Sequence, residues 1–183
     1  MKMKIILFSG HAGSGKDTAA GVIKDILHSS GYSVLTVHYA DLLKFTLREF
    51  MGWDGEKDPR GRQLLQTIGT DVVRAADENY WVNYIVFMLK HLPLLYDYVL
   101  IPDARFPNEI DAVKNAFPNA NVKHARVIRR QIEEQPDDGW RAHESETALD
   151  SYPHDIVIRN DGDLNDLRST CRAVLWEYYD EEV

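Results

Sequence analysis

Apolar and polar positions along the chain follow two alternating rhythms. Lys4 to Phe8 (KIILF) is a short, nearly continuous apolar run, the pattern of a strand buried on both faces. Ala19, Ala20, Val22, Ile23, Ile26 and Leu27 then recur at helical spacing, and Ser30-Gly31-Tyr32 stops that helix, with glycine as its cap. Residues 33–39 (SVLTVHY) are rich in β-branched side chains and predict a second strand. His38 lies inside it and reads as a packed or edge histidine, since no second metal-type residue stands at chelating spacing. A helix is expected from Asp41, its N-cap, to about Met51, where Gly52-Trp53-Asp54-Gly55 breaks it.

Residues 59–95 read as two helices. The first carries Leu64, Leu65, Ile68, Val72 and Val73 on one face, with Gly69-Thr70-Asp71 either interrupting it or lying on a tight face. The second, from about Glu78, carries Trp81, Tyr84, Ile85, Met88 and Leu89. Three more strands are expected at 98–101, 122–128 and 155–159, with a short helix at 108–116 between the first two. Asp163 should cap a last helix whose stripe is Leu164, Leu167, Cys171, Val174 and Tyr178, and residues 179–183 form an acidic tail.

Five strands alternating with helices predict a three-layer αβα sandwich on a parallel sheet. The helical stretch 41–95 exceeds what a crossover needs and is expected to be a helical insert that binds a substrate. The core would then be 1–40, 96–128 and 154–183. The polar stretch Gln131 to Trp140, broken by Pro136 and Gly139, is either a mobile lid or an ordinary surface loop; the lid reading extends over about 129–147.

Composition narrows the partners. The chain has 183 residues, one domain's worth, and a formal charge of −8. Bulk nucleic-acid binding wants a basic face, so an anionic ligand would have to sit in a local basic pocket, and no nucleic-acid partner is expected. Cys171 is the single cysteine, which leaves no intramolecular disulfide. No apolar run approaches the roughly 18 residues of a membrane helix, and the first residues do not read as a secretory leader. A cytoplasmic protein, monomer or homodimer, is the expectation.

The chemistry gathers at two strand ends. After the first strand comes S-G-H-A-G-S-G-K, in which Gly10, Gly15 and Lys16 fit G-x-x-x-x-G-K. Glycines at this spacing let successive N–H groups of Gly10, His11, Ala12, Gly13, Ser14 and Gly15 point into one concavity that suits phosphate oxygens. The helix that follows adds its N-terminal N–H groups. Lys16 would bridge the β- and γ-phosphates of a nucleoside triphosphate. Asp17 stands where the pattern asks for a Mg²⁺-ligating hydroxyl, which comes one later at Thr18; a carboxylate can hold Mg²⁺ directly or through water. At the end of the 98–101 strand, Asp103 has the strand-end position of an acid that holds Mg²⁺ opposite such a loop. Arg105, two residues on, could clamp a second phosphate. Arg62 and Arg74 could add planar, phosphate-matched donors. Asp41 is open between a cap and a substrate contact. His143, Glu144 and Glu146 do not make a metal site on their own.

Taken together, LFSGHAGSGKDTAA, ADLLK, RQLLQTIGTDVVR, NYWVNYI, YDYVLIPDARFPNEIDA, HESE and DIVIRNDGDLNDL span nearly the whole chain. In this order they resemble the phage-type deoxynucleoside monophosphate kinases, within the adenylate-kinase-like P-loop kinases. The resemblance implies strand order 2-3-1-4-5 and transfer of the γ-phosphoryl of ATP to a (deoxy)nucleoside 5′-monophosphate, with Mg²⁺. It makes Gly10 to Thr18 the ATP phosphate loop, with Asp17 and Asp103 as metal-holding acids, and puts Asn160 and Gly162 beside the adenine. Asp41, Lys44, Arg62, Gln66, Arg74 and Trp81 fall in the segment that would hold the monophosphate, and Arg105 would clamp it. Arg126, Arg129 or Arg130 would supply lid charge, Arg126 toward ATP and Arg130 at the transferring group. Another phosphorylated acceptor, of phosphomevalonate or dephospho-coenzyme A type, is an alternative, as is a nucleotide-binding regulator without turnover.

Overall fold

The computed structural model describes residues 3–56, 58–91, 95–135 and 141–179. In chain order the elements are β1 (Lys4–Ser9), α1 (Lys16–Ser29), β2 (Val34–Thr36), α2 (Asp41–Met51), α3 (Pro59–Gln66), a π-helical turn (Thr67–Arg74), α4 (Tyr80–His91) and β3 (Tyr98–Ile101). They continue as α5 (Pro107–Ala116), β4 (Asn121–Ile128), α6 (Arg130–Glu133), α7 (Glu144–Thr147), β5 (Ile156–Arg159) and α8 (Leu164–Tyr179). The five strands form one parallel sheet in the order β2-β3-β1-β4-β5, as the resemblance implied.

β1 is central and buries both faces, which is why its sequence does not alternate. Ile6 and Phe8 join one core with α1 and α8; Ile5 and Leu7 join a second with α2, α4 and α5. The β1 side chains from Ile5 to Phe8 are fully buried. Parallel pairing brings the C-terminal ends of β1, β3 and β4 together, with Leu7 opposite Ile101 and Ser9 opposite Arg126. Loops that leave those ends open into one crevice, the usual ligand position of an open α/β sheet.

Several elements differ from expectation at their edges. β2 is only three residues long, so His38 lies in the loop beyond it. Ala40 is the N-cap of α2, and Asp41 is its first residue; the Asp41 carboxylate accepts from the His38 N–H instead, at 2.9 Å, and so ties the preceding turn. α4 begins at Tyr80, after an Asp77 that accepts the Asn79 N–H at 2.9 Å. Asp163 does cap α8, accepting from Asn165 and Asp166 N–H at 2.7 and 3.0 Å. The expected lid and tail fall partly on residues 136–140 and 180–183, which lie outside the described residues.

The insert's departure from a plain helix pair is the π-helical stretch Thr67–Arg74, which runs on from α3 without a break. Gly69 sits inside it because a side chain there would collide with Leu43: a Cβ would stand 2.6 Å from Leu43 Cδ2. The Gly69 carbonyl accepts from Trp81 Nε1 at 2.9 Å, so α2, the π turn and α4 lock together around a glycine. Wide turns of this kind concentrate at functional sites. Trp81→Phe leaves that carbonyl buried without its donor, which costs about 1 to 3 kcal/mol. Urea unfolding should show the loss; a variant as stable as the parent would mean that the bond holds nothing.

Candidate active site

Two cavities meet at the mouth of β1. The first, about 320 Å³, is floored by Lys16, Asp103 and Arg105 and walled by the insert through Leu43, Lys44, Arg62, Leu65, Gln66, Arg74 and Trp81. The second, about 440 Å³, is lined by Gly13, Gly15, Thr18, Arg129, Asn160 and Gly162. Gly13, Lys16 and Asp17 belong to both.

Lys16 is the hinge of this arrangement. Its Nζ donates to the carbonyls of Gly10 at 2.6 Å and His11 at 3.0 Å, curling back over its own loop. Burial and then the Arg105 charge push its ammonium down to about 7, against the pull of Glu146, Asp17 and Asp103. A lysine held at that cost is poised for an anion. The loop is braced from outside by Asn160, whose Nδ2 donates to the Ser14 carbonyl at 2.9 Å, and by His11, whose Nε2 meets Asp150 Oδ1 at 2.8 Å.

The first cavity's basic wall is built on the turn after β3. Glu109, in the first turn of α5, is buried, and its Oε2 accepts the backbone N–H groups of Arg105 and Phe106 at 2.6 and 3.0 Å. Its Oε1 accepts from Arg74 Nη1 at 3.2 Å, Arg74 Nη2 reaches Asn108 Oδ1 at 2.8 Å, and the guanidinium lies over the Phe106 ring at 3.7 Å. The Arg105 guanidinium contacts the Glu146 carboxylate and the Ser145 carbonyl, and Glu146 Oε2 also takes the Ala12 N–H at 3.0 Å. A carboxylate therefore fills a cradle made of a P-loop N–H and an arginine, the donors an anionic phosphoryl group would want.

The two candidate metal-holding acids, Asp103 after β3 and Asp17 in the first turn of α1, sit in different settings. Asp103 spends one oxygen on the Tyr39 N–H at 2.9 Å and the other on the Ala40 N–H at 3.0 Å, so it shapes the loop into α2 as well as facing the cavity. The Asp17 side chain is largely exposed and meets His38 Nε2 at 3.2 Å. His38 bridges on to Asp41 at 3.3 Å, and the hydrogen bond to Asp17 holds its imidazolium above the usual histidine range despite desolvation.

Of the sequence candidates, Lys44, Arg62, Gln66, Arg74, Trp81, Asp103 and Arg105 line the first cavity, and Thr18, Asn160 and Gly162 the second. Gly10, His11 and Ser14 of the loop line neither cavity, nor do Asp41, Arg126 and Arg130. Asp41 points back at His38 and is replaced on the wall by Lys44. Arg126 is buried, with Nη1 on the Leu149 carbonyl at 3.0 Å and Nη2 on Asp150 at 2.8 Å, a brace behind the loop rather than a lid charge. Arg130 is exposed, and its backbone N–H donates to Asp161 Oδ1 at 2.6 Å; its neighbour Arg129 faces the second cavity. Among the described residues no group of three His, Cys, Asp or Glu side chains could hold a metal ion. His143 caps α7 and meets Asp71. Sequence reading passed over His38, Glu109 and Glu146 as site residues. Glu109, as the acid at the third position of a helix opened by Pro107, and Glu146, in the HESE motif, carried local signals.

Glu109 also gives the site a pH signature. Burial pushes its carboxyl from 4.5 up to about 7, against the pull of the Arg105 N–H and Arg74. A folded pKa above the unfolded one contributes stability in full below about 4.5, which is lost as pH rises to about 7. Thermal melts should therefore show the Glu109→Gln variant gaining on the parent between pH 4.5 and 7.5. A difference flat with pH would rule the shift out.

Known proteins carry the same pattern. A family model described as deoxynucleotide monophosphate kinase matches residues 49–171, the insert through to α8. The deoxynucleotide monophosphate kinases of Enterobacteria phage T4 and Escherichia phage RB69 are 35% and 32% identical over 118 residues. That match takes in 62% of this chain and 44% of each relative, so it spans less than half the length of either. In fold the chain is similar to the APS kinase CysC of Mycobacterium tuberculosis in complex with AMPPNP and APS, with a TM-score of 0.56 at 14% identity over 95% of this chain and 98% of that one. It is equally similar to the shikimate kinase of Bacteroides thetaiotaomicron, with a TM-score of 0.56 at 15% identity over 98% and 99% of the two chains. With a family model running over more than half of its residues, the chain belongs to the deoxynucleotide monophosphate kinase family.

Proposed function

We propose that the protein transfers the γ-phosphoryl group of ATP to a (deoxy)nucleoside 5′-monophosphate, giving ADP and the diphosphate. The observation that carries this reading is the pair of cavities that share Gly13, Lys16 and Asp17. A nucleotide switch needs one phosphate site. Two sites joined at the P-loop lysine, the first of them walled by arginines, suit an acceptor and a donor that meet there.

On this reading ATP lies in the second cavity, with its phosphates on the loop from Gly10 to Thr18 and its base toward Asn160 and Gly162. The acceptor lies in the first, its phosphate on Arg74 and Arg105 and its base against Leu43, Leu65, Gln66 and Trp81, with Lys44 and Arg62 on the rim. Residues 41–95 then act as the monophosphate-binding insert, and the segment around 129–147 as the lid over ATP. Glu146 gives up its place on the Ala12 N–H when a γ-phosphate arrives, and Lys16 turns from the Gly10 and His11 carbonyls to the phosphates. The acceptor phosphate is already an anion, so charge neutralisation and alignment matter more than a general base.

The donor set fits Mg²⁺. Asp17 offers an exposed carboxylate at the junction of the cavities, beside the Thr18 hydroxyl, and Asp103, with both oxygens already accepting N–H groups, is suited to a metal-bound water. A cation bound there would neutralise phosphate charge. Among the described residues no helix is long and apolar enough to cross a membrane.

A coupled ADP-release assay with MgATP and dAMP, dGMP, dCMP, dTMP and AMP in turn tests the reading. Strong stimulation by at least one is expected, and the pattern defines the base range. ATP binding without stimulation by any of them would sink it and bring other phosphorylated acceptors or a regulatory role forward.

A further inference from the structure

We propose that Glu109 is the positioning residue of the acceptor-phosphate pocket. Its single carboxylate sets Arg74 and Arg105 in register with each other before any acceptor arrives. The inference rests on the monophosphate-kinase reading above and extends it to a residue that touches no substrate.

The two arginines reach the cavity from separate parts of the chain. Arg105 follows β3 in the core, whereas Arg74 ends the π-helical turn of the insert. Left alone, each long side chain would sample many rotamers, and a dianionic phosphate would have to order both. Glu109 removes that freedom with two different oxygens. Oε2 holds the backbone N–H groups of Arg105 and Phe106, which fixes the point from which the Arg105 side chain departs. Oε1 holds Arg74 Nη1, and the neighbouring Asn108 Oδ1 holds Nη2. The Phe106 ring, 3.7 Å from the guanidinium carbon, sets the plane of the fork. A guanidinium has five N–H donors, so these two contacts do not exhaust it. Asn108 also reaches across the insert, donating to the Glu78 carbonyl and Asn79 Oδ1 at 3.0 Å each. The start of α5 therefore grips both the loop that carries Arg105 and the insert that carries Arg74.

The division of labour between the oxygens makes the idea testable. In Glu109→Gln the amide oxygen can take the place of Oε2 on the two backbone N–H groups, so the turn keeps its shape. The amide nitrogen then faces Arg74, donor against donor. We expect the acceptor KM to rise at least tenfold while the ATP KM stays within twofold of the parent. Because Glu109 acts through Arg74, the Arg74→Ala/Glu109→Gln double variant should be no more than twofold worse than Arg74→Ala alone. Asn108→Ala, which removes only the second Arg74 contact and the tie to Glu78 and Asn79, should raise the acceptor KM a few-fold with no change for ATP. It decides the question if Glu109→Gln does not fold.

An unmoved acceptor KM in Glu109→Gln overturns the inference, as does an equal rise for both substrates with multiplicative losses in the double variant. If Glu109→Gln is unfolded, an Asn108→Ala enzyme with parental kinetics overturns it. A parent enzyme that no monophosphate stimulates brings down the functional reading and the inference together; a stimulated parent with an indifferent Glu109→Gln brings down the inference only.

Discussion

Lys16→Ala is expected to lower kcat by roughly 30- to 1000-fold, the ~2 to 4 kcal/mol that a single electrostatic contact to a transferring group supplies. The protein should keep its stability. The Lys16 ammonium is desolvated, shares its surroundings with Arg105, and among the described residues donates to the Gly10 and His11 carbonyls. It is held there at a cost, so its removal relieves a burial penalty while giving up two hydrogen bonds. Loss of turnover without loss of stability separates a chemical role from a structural one. Steady-state kinetics with MgATP and a stimulating monophosphate, alongside thermal melts, would show it. Turnover within threefold of the parent would refute the role, and a collapse in stability would mean that the lysine holds the loop together.

What the sequence made legible followed from how local each signal was. The P-loop needed only a continuous apolar run, glycines at fixed spacing and a helical stripe, all within 24 consecutive positions from Lys4 to Leu27. Strand order followed from the resemblance, and the helices between β2 and β3 from the apolar periodicity of that stretch. Apart from Asp41, whose partner His38 is three residues away, the misreadings involve partners far away in the chain. Arg126 looks like lid charge beside Arg129 and Arg130, but strand pairing puts it beside Ser9 on the inside, and its anchor Asp150 stands 24 residues on. Glu109 looks like an ordinary helix-start acid until Arg74, 35 residues earlier, closes on it. The π turn hides because Gly69 reads either as an interruption or as a tight face; the Leu43 methyl pressed against it and the Trp81 indole on its carbonyl decide for the tight face. Glu146 came closest to view in the HESE motif, yet its carboxylate serves the P-loop N–H of Ala12, 134 residues upstream.

Gly10→Ala tests how much of the P-loop pattern is fold and how much is chemistry. Gly10 has φ +138, a backbone that side chains other than hydrogen rarely adopt, and a Cβ built there would lie 2.2 Å from the Val127 carbonyl oxygen and 2.9 Å from Ser14 Oγ. The first obstacle cannot yield, because Val127 belongs to β4, paired on one side with β1 and on the other with β5. Backbone strain and overpacking should together cost about 2 to 6 kcal/mol, a large share of the ~5 to 15 kcal/mol that stabilises a domain. Gly21 supplies the control: it lies in α1, nothing stands within 4 Å of its would-be Cβ, and Gly21→Ala should stabilise by about 0.5 to 1 kcal/mol. Urea titrations of the two variants should therefore move in opposite directions from the parent. If Gly10→Ala unfolds within 1 kcal/mol of the parent by the same extrapolation, β4 does not press on the loop, and the first glycine of the motif is there for the phosphate alone. If it is strongly destabilised while Lys16→Ala is not, one short loop divides its labour: a glycine that lets the sheet close beneath it, and a lysine that the closed loop holds ready for the transferring group.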